Sequence, residues 1–188
     1  MSEPTRALRG SIAIAAAIVL IDQITKQWAL SALADGPIDV VWTLRFNLVF
    51  NRGMAFSQAE GLGPLIGVVA LVVVVVLLVS LRKGARSWGT VGVGLVVGGA
   101  VGNIIDRLFR DDGWFRGAVV DFIDFQWFPV FNVADTAINF GAGALIVGAF
   151  FGARRDRAHD LAEPESTEVE STEPESTMPE STMPVDEP

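Results

Sequence analysis

Four apolar runs, at residues 11–33, 62–81, 88–105 and 137–153, decide what this chain can be. Each approaches the roughly 20 helical residues that cross about 30 Å of hydrocarbon. Asp22 and Lys26 interrupt the first run, while the second and third carry no charge. The fourth is a little short and extends backward through Asn132. A mean hydropathy of +0.44 with 51% hydrophobic residues agrees with a membrane class. The expected fold is an all-α polytopic membrane protein: four transmembrane helices, a small extracytoplasmic β-strand region and a disordered C-terminal tail.

Loop charges orient the spans. Arg6 and Arg9 precede the first; Arg82, Lys83 and Arg86 link the second and third; Arg154, Arg155 and Arg157 follow the fourth. The positive-inside rule makes these segments, and so both termini, cytoplasmic. About 35–61 and 106–135 then lie outside. The first run also carries features of a cleavable signal, ending near Ala32-Leu33-Ala34. Asp22 and Lys26, four residues apart, argue against that reading.

The formal charge of −8 belongs to the tail. Residues 158–188 hold ten acids and no Lys or Arg; the rest of the chain holds 14 basic and 12 acidic side chains. The tail repeats Glu-Ser-Thr every five residues, with prolines between. It is too polar to bury a core and is expected to be disordered. The expected organisation is a four-helix intramembrane domain, 1–157, with spans at about 11–33, 62–81, 88–105 and 135–153, and a tail, 158–188.

Exclusions are strong. With no cysteine there is no disulfide, thiolate nucleophile or thiolate metal site. The single histidine, His159, lies in the polar C-terminal region. Neither a Ser-His-Asp triad nor a His-Glu-x-x-His zinc site can form in the membrane body. No metal or cofactor is expected.

Outside, Val40, Trp42, Leu44 and Phe46 alternate with Val41, Thr43 and Arg45 as in a strand. Asn51-Arg52-Gly53 then reads as a turn. Trp114, Phe115, Phe122, Phe125, Trp127 and Phe128 suit the membrane–water interface.

Ionisable residues gather at the outer ends of the spans: Asp22 and Lys26, Asp106 and Arg107, Asp121, Asp124 and Asp135. Charges at such depth face a protein interior or mark function. Asn103 and Asp106 stand three apart on one helical face, and Asn132 and Asp135 repeat the arrangement. Two carboxylates in one site share a proton, so one takes a proton from water while the other donates to a carbonyl or leaving amine. That chemistry needs neither Ser, Cys, His nor metal. Each acid also has a structural use: an Asp22–Lys26 ion pair, an Asp106 neutralised by Arg107, a solvated Asp124, an Asp135 capping the last span. The glycines at 89, 92, 94, 98, 99 and 102 read as helix-packing surface. Spacing alone does not select the catalytic pair. Two other readings stay open: a transporter or channel subunit with relay carboxylates, and a Ser-Lys peptidase using Lys26 with Ser31 or Ser57.

The sequence resembles bacterial lipoprotein signal peptidase, or signal peptidase II, in five elements from residues 10 to 153. They are DQITK at 22–26, FNLVFNRGMAF at 46–56, GGAVGNIIDR at 98–107, VVDF at 119–122 and FNVADTAI at 131–138. The resemblance implies an aspartic endopeptidase of the cytoplasmic membrane whose catalytic dyad is Asp121 and Asp135. It implies substrate-contacting or site-shaping roles for Asp22, Lys26, Asn51, Gly53, Asn103, Asp106, Arg107 and Asn132. The implied reaction removes the signal peptide of a prolipoprotein on the amino side of a diacylglyceryl-modified cysteine. Implied partners are prolipoproteins, membrane lipids and the inhibitor globomycin, with no nucleic acid. Met54, the Asp111–Trp114 segment and the acidic tail depart from the family pattern.

Overall fold

The computed structural model describes residues 3–53, 63–81, 87–110 and 117–162. Met54, the basic link at 82–86, the 111–114 segment and the tail from 163 onward lie outside the described residues. Contacts divide the chain into two units, Met1–Phe151 and Gly152–Pro188. The first holds the sheet and the site. Of the second, residues 152–162 are described and are helical.

The elements run α1 (Glu3–Ala32), β1 (Ile38–Val41), β2 (Leu44–Asn51), α2 (Gly63–Leu81), α3 (Ser87–Phe109), β3 (Val119–Asp124) and α4 (Val133–Ala162). Among the described residues, three helical segments are long and apolar enough to cross a membrane: Thr5–Ala32, Gly89–Phe109 and Val133–Gly152. In α2 the apolar stretch Gly67–Val79 is shorter. The α4 helix continues to Ala162, past residue 157.

Glycines let the helices of the first unit meet backbone to backbone. A methyl group on Gly94 or Gly98 would stand 2.8 Å from Ile14 Cβ or Ile18 Cβ of α1. On the other side of α3, one on Gly92 would stand 2.8 Å from Leu145 of α4. The third helix is therefore clamped between the first and the fourth, with Val93, Val97 and Ala100 in the core they share with Ala15.

The strand region is a three-stranded antiparallel sheet in the order β1-β2-β3. The single strand expected across 40–46 is instead a hairpin. Trp42 takes a left-handed φ of 50° and turns the chain between β1 and β2. Its alternation had continued through the turn, which hid it. The strand β3, not expected from sequence, pairs with β2, with Asp121 opposite Val49 and Asp124 opposite Arg45. Trp28 of α1 stacks edge-on against Phe46 and Phe122, at centroid distances of 5.2 and 6.1 Å. These contacts tie the sheet to the end of α1.

After β3 the chain doubles back. Gln126 takes a left-handed φ of 67°, and Phe131 pairs with Ile123 by backbone hydrogen bonds in both directions. This second reversal delivers Asn132 and the start of α4 beside Asp121.

Candidate active site

Asp121 is buried in β3. Its Oδ2 accepts from Asn51 Nδ2 at 3.0 Å and its Oδ1 from Asn132 Nδ2 at 2.7 Å. Asp135, the third residue of α4, accepts from Asn103 Nδ2 at 2.9 Å and from the Asn132 backbone N–H at 3.2 Å. Asn132 Oδ1 accepts the Asp135 N–H in return, at 2.9 Å. This reciprocal closure is a capping box. Asn132 is the cap and Asp135 closes it from inside the helix, which corrects the reading of Asp135 as the cap.

Both carboxylates line one cavity of about 380 Å³, with Asn51, Gly53, Asn103 and Arg107. Burial, and after it the charge of Asp135, pushes the Asp121 carboxyl up to about 7, against the pull of its Asn51 and Asn132 hydrogen bonds. One carboxyl that holds a proton near neutrality beside a second carboxylate is the arrangement that general acid–base chemistry needs.

The side-chain N–H groups of the two Asn-x-x-Asp asparagines go to acids other than the one three residues on. The Asn132 amide goes to Asp121, and the Asn103 amide goes to Asp135 rather than to Asp106. Each asparagine thus reaches across to an acid on another element, or on the far side of the cap.

Behind this pair lies a buried ionic cluster. Lys26, Asp22 and Asp106 all have side chains with no solvent exposure. Lys26 Nζ meets Asp22 at 2.8 Å, Asp106 at 2.9 Å and Asn103 Oδ1 at 2.9 Å, which uses all three of its donors. Asp106 also accepts from Arg110 Nε at 2.6 Å and from the Val120 N–H at 3.2 Å. Two carboxylates therefore meet two cations, the condition under which buried charge is tolerated. Asp22 does more than pair with Lys26: its Oδ1 accepts the Ala134 N–H at 3.0 Å, satisfying a donor at the start of α4 from a different helix.

Two expectations fail here. Asp106 is neutralised by Lys26 and Arg110, not by its neighbour Arg107. Arg107 instead turns to the Gly53 carbonyl at 3.2 Å. Asp124 is not a solvated residue. It is buried and accepts from Arg45 Nε at 2.8 Å, Asn47 Nδ2 at 3.2 Å and the Gln126 N–H at 2.6 Å. Although burial works against it, these bonds hold its carboxyl below the usual value. It stands on the sheet away from the cavity lining.

The Asn51-Arg52-Gly53 turn has a chemical use. Gly53 N–H donates to Asn51 Oδ1 at 3.0 Å, which leaves the Asn51 amide nitrogen facing Asp121. All ten expected site residues therefore fall in one connected region. Sequence reasoning missed Arg110, Arg45 and Asn47: the i,i+4 spacing of Asp106 and Arg110 could have found the first, while Arg45 and Asn47 reach Asp124 only through the tertiary pairing of β2 with β3. Lys26 is fully engaged, and Ser31 Oγ donates to the backbone of its own helix at 3.0 Å, so the Ser-Lys reading finds no geometry; Ser57 lies outside the described residues. Among the described residues no group of three or more His, Cys, Asp or Glu side chains is arranged to hold a metal ion.

Residues 14–151 match the family model of signal peptidase (SPase) II. The chain is 38% identical over 172 residues to a lipoprotein signal peptidase of Mycolicibacterium smegmatis, covering 88% of this chain and 73% of that one. It is 41% identical over 151 residues to one of Mycobacterium avium, covering 79% and 83%. In structure it resembles a bacterial membrane enzyme solved by the in meso method at 2.3 Å, with a TM-score of 0.65, 27% identity and coverage of 85% and 94%. A second, solved at 1.9 Å, gives a TM-score of 0.62 and 29% identity, with coverage of 73% and 90%.

Proposed function

The chain belongs to the signal peptidase II family, and from that premise we propose that it is an aspartic endopeptidase working through Asp121 and Asp135. As a lipoprotein signal peptidase it removes signal peptides from prolipoproteins. The observation that carries the aspartic mechanism is the shared cavity, with two carboxylates each held by two donors. The transporter reading has no support from the relatives. It would also need polar groups through the depth of the bilayer, and α2 carries no ionisable side chain.

In this reading Asp121 holds the shared proton and Asp135 is ionised. Asp135 takes a proton from a water whose oxygen attacks the scissile carbonyl carbon. The Asp121 proton goes to the carbonyl oxygen as the tetrahedral diol forms. Asp135 then gives its proton to the amide nitrogen, the C–N bond breaks, and a diol hydroxyl returns a proton to Asp121. Asn51, Asn103 and Asn132 hold both carboxyls at the angles this exchange requires.

The substrate we propose is a signal helix whose scissile bond lies on the amino side of a diacylglyceryl-modified cysteine. Four spans with both termini cytoplasmic, in the bacterial inner membrane, would set the cavity near the outer leaflet, where that bond lies. The basic segments flanking the spans support this orientation. Globomycin would compete for the same cavity.

The test is cleavage of a diacylglyceryl-modified prolipoprotein by the purified chain. Asp121→Asn and Asp135→Asn should each lower kcat about a thousandfold or more, the scale of lost acid–base catalysis. Asp124→Asn should cut within a few-fold of wild type. Near-normal cleavage by Asp121→Asn would sink the dyad and point to another acid as the partner of Asp135.

A further inference from the structure

Besides its polar groups the cavity has an apolar lining: Ala70 of α2, Ala100 and Ile104 of α3, and Ile138 of α4. One polar side chain stands among them, Asn139. It lies one helical turn, about 6 Å of rise, beyond Asp135 on α4. Its Nδ2 donates to the Asp135 carbonyl of its own helix at 3.0 Å. Among the described residues its Oδ1 and second N–H have no partner, and the side chain is exposed.

An amide with free donor and acceptor capacity is unfavourable where a bilayer surrounds it. Its use follows from what the reaction demands of its substrate, and this step rests on the peptidase reading above. A peptide bond within a helix has its carbonyl engaged by the N–H four residues on, so cleavage needs the chain unwound near the scissile bond. Unwinding frees backbone N–H and C=O groups inside an apolar cavity, and each needs a partner there. An extended chain advances about 3.4 Å per residue, so a group 6 Å from Asp135 meets the backbone about two residues before the bond that is cut.

We propose that Asn139 is a substrate-positioning residue that accepts a backbone N–H of the unwound signal peptide about two residues before the scissile bond. It recognises backbone rather than side chain, which suits an enzyme whose signal peptides differ in apolar sequence.

The test uses the full-length enzyme and two lipidated substrates, one with normal amides and one with an ester replacing the amide whose N–H Asn139 would accept. On the amide substrate Asn139→Leu and Asn139→Ser should raise KM about five- to tenfold with kcat nearly unchanged, the effect of one lost binding hydrogen bond. On the ester substrate wild type should lose the same factor and the variants nothing further. Equal KM for wild type and both variants on the amide substrate overturns the proposal, leaving Asn139 a lipid-facing residue. An equal loss on both substrates also overturns it, because a structural defect does not depend on the substrate's N–H. If wild type fails to cut the amide substrate at all, the peptidase reading falls first and this inference with it.

Discussion

Lys26 Nζ donates to Asn103 Oδ1 at 2.9 Å, and with Asn132 Nδ2, which donates to the same oxygen at 3.2 Å, it fixes which way the Asn103 amide faces. With its oxygen pinned by an ammonium, Asn103 presents its nitrogen to Asp135 at 2.9 Å. A side chain with no solvent exposure therefore sets a hydrogen bond at the site without touching either member of the proposed dyad.

Lys26→Met should remove that control and leave Asp22 and Asp106 without their shared cation. Breaking a buried pair from one side costs about 3–5 kcal/mol. Thermal unfolding in detergent should show a marked loss of Tm, and cleavage should fall at least about a hundredfold. A triple variant, Lys26→Met with Asp22→Asn and Asp106→Asn, should recover part of the stability but not the activity. Recovery of both would mean that the cluster does not orient Asn103.

The pH dependence carries two opposite signs. The folded-state value of Asp121 is raised from 3.8 to about 7, so the fold takes up a proton in that window. Its contribution to stability is full below 3.8 and is lost as pH rises toward about 7. Asp124 is lowered, so its contribution is present above 3.8 and is lost as pH falls through its lower native value. Tm measured across pH should lose its neutral-side decline in Asp121→Asn and its acid-side decline in Asp124→Asn. In the wild type kcat/KM should fall above about pH 7 as Asp121 gives up its proton.

Arg45 and Asp124 face each other across β2 and β3, with the Arg45 side chain 33% exposed. Solvent screening limits such a pair to about 1 kcal/mol or less. A double-mutant cycle in Ala should return a coupling of that size. Asp124→Ala alone should cost more, about 1–3 kcal/mol, because Asn47 and the Gln126 N–H lose their acceptor. Activity should stay close to wild type, because Asp124 stands outside the cavity lining.

Glycine substitutions separate packing from propensity. A methyl group on Gly102 would stand 2.5 Å from Asp22 Oδ2, and one on Gly99 would press into the Ala134 carbonyl. Gly99→Ala and Gly102→Ala should both destabilise the chain and abolish cleavage. Gly143→Ala, where nothing lies within 4 Å, should be neutral or stabilising by up to about 1 kcal/mol. Equal effects at all three sites, read by Tm, would sink the packing account.

The helices were legible because long apolar runs allow little else, and the α3 glycines were legible because small residues in such a run exist to be packed against. The gathering of acids was legible for the same reason, as charge at membrane depth needs a partner. Which partner was not. Asp124 looked solvated because Arg45 and Asn47 lie far away in sequence, and Asp106 looked paired with Arg107 because adjacency is visible and tertiary contact is not. The strand β3 was missed since its Val-Val-Asp-Phe-Ile-Asp run merges into aromatics that read as interface. The β1–β2 turn was missed because Trp42 keeps the alternation while its backbone reverses.

Asp22, near the middle of the first helix, holds the Ala134 N–H at the start of the last one. A ribosome finishes those two partners far apart in time. Until residue 135 has been made, the chain carries Asp121 without its fellow acid, and Asp22 has no helix end to hold. With the proposed dyad of Asp121 and Asp135, hydrolytic capacity would arrive only with the closing helix.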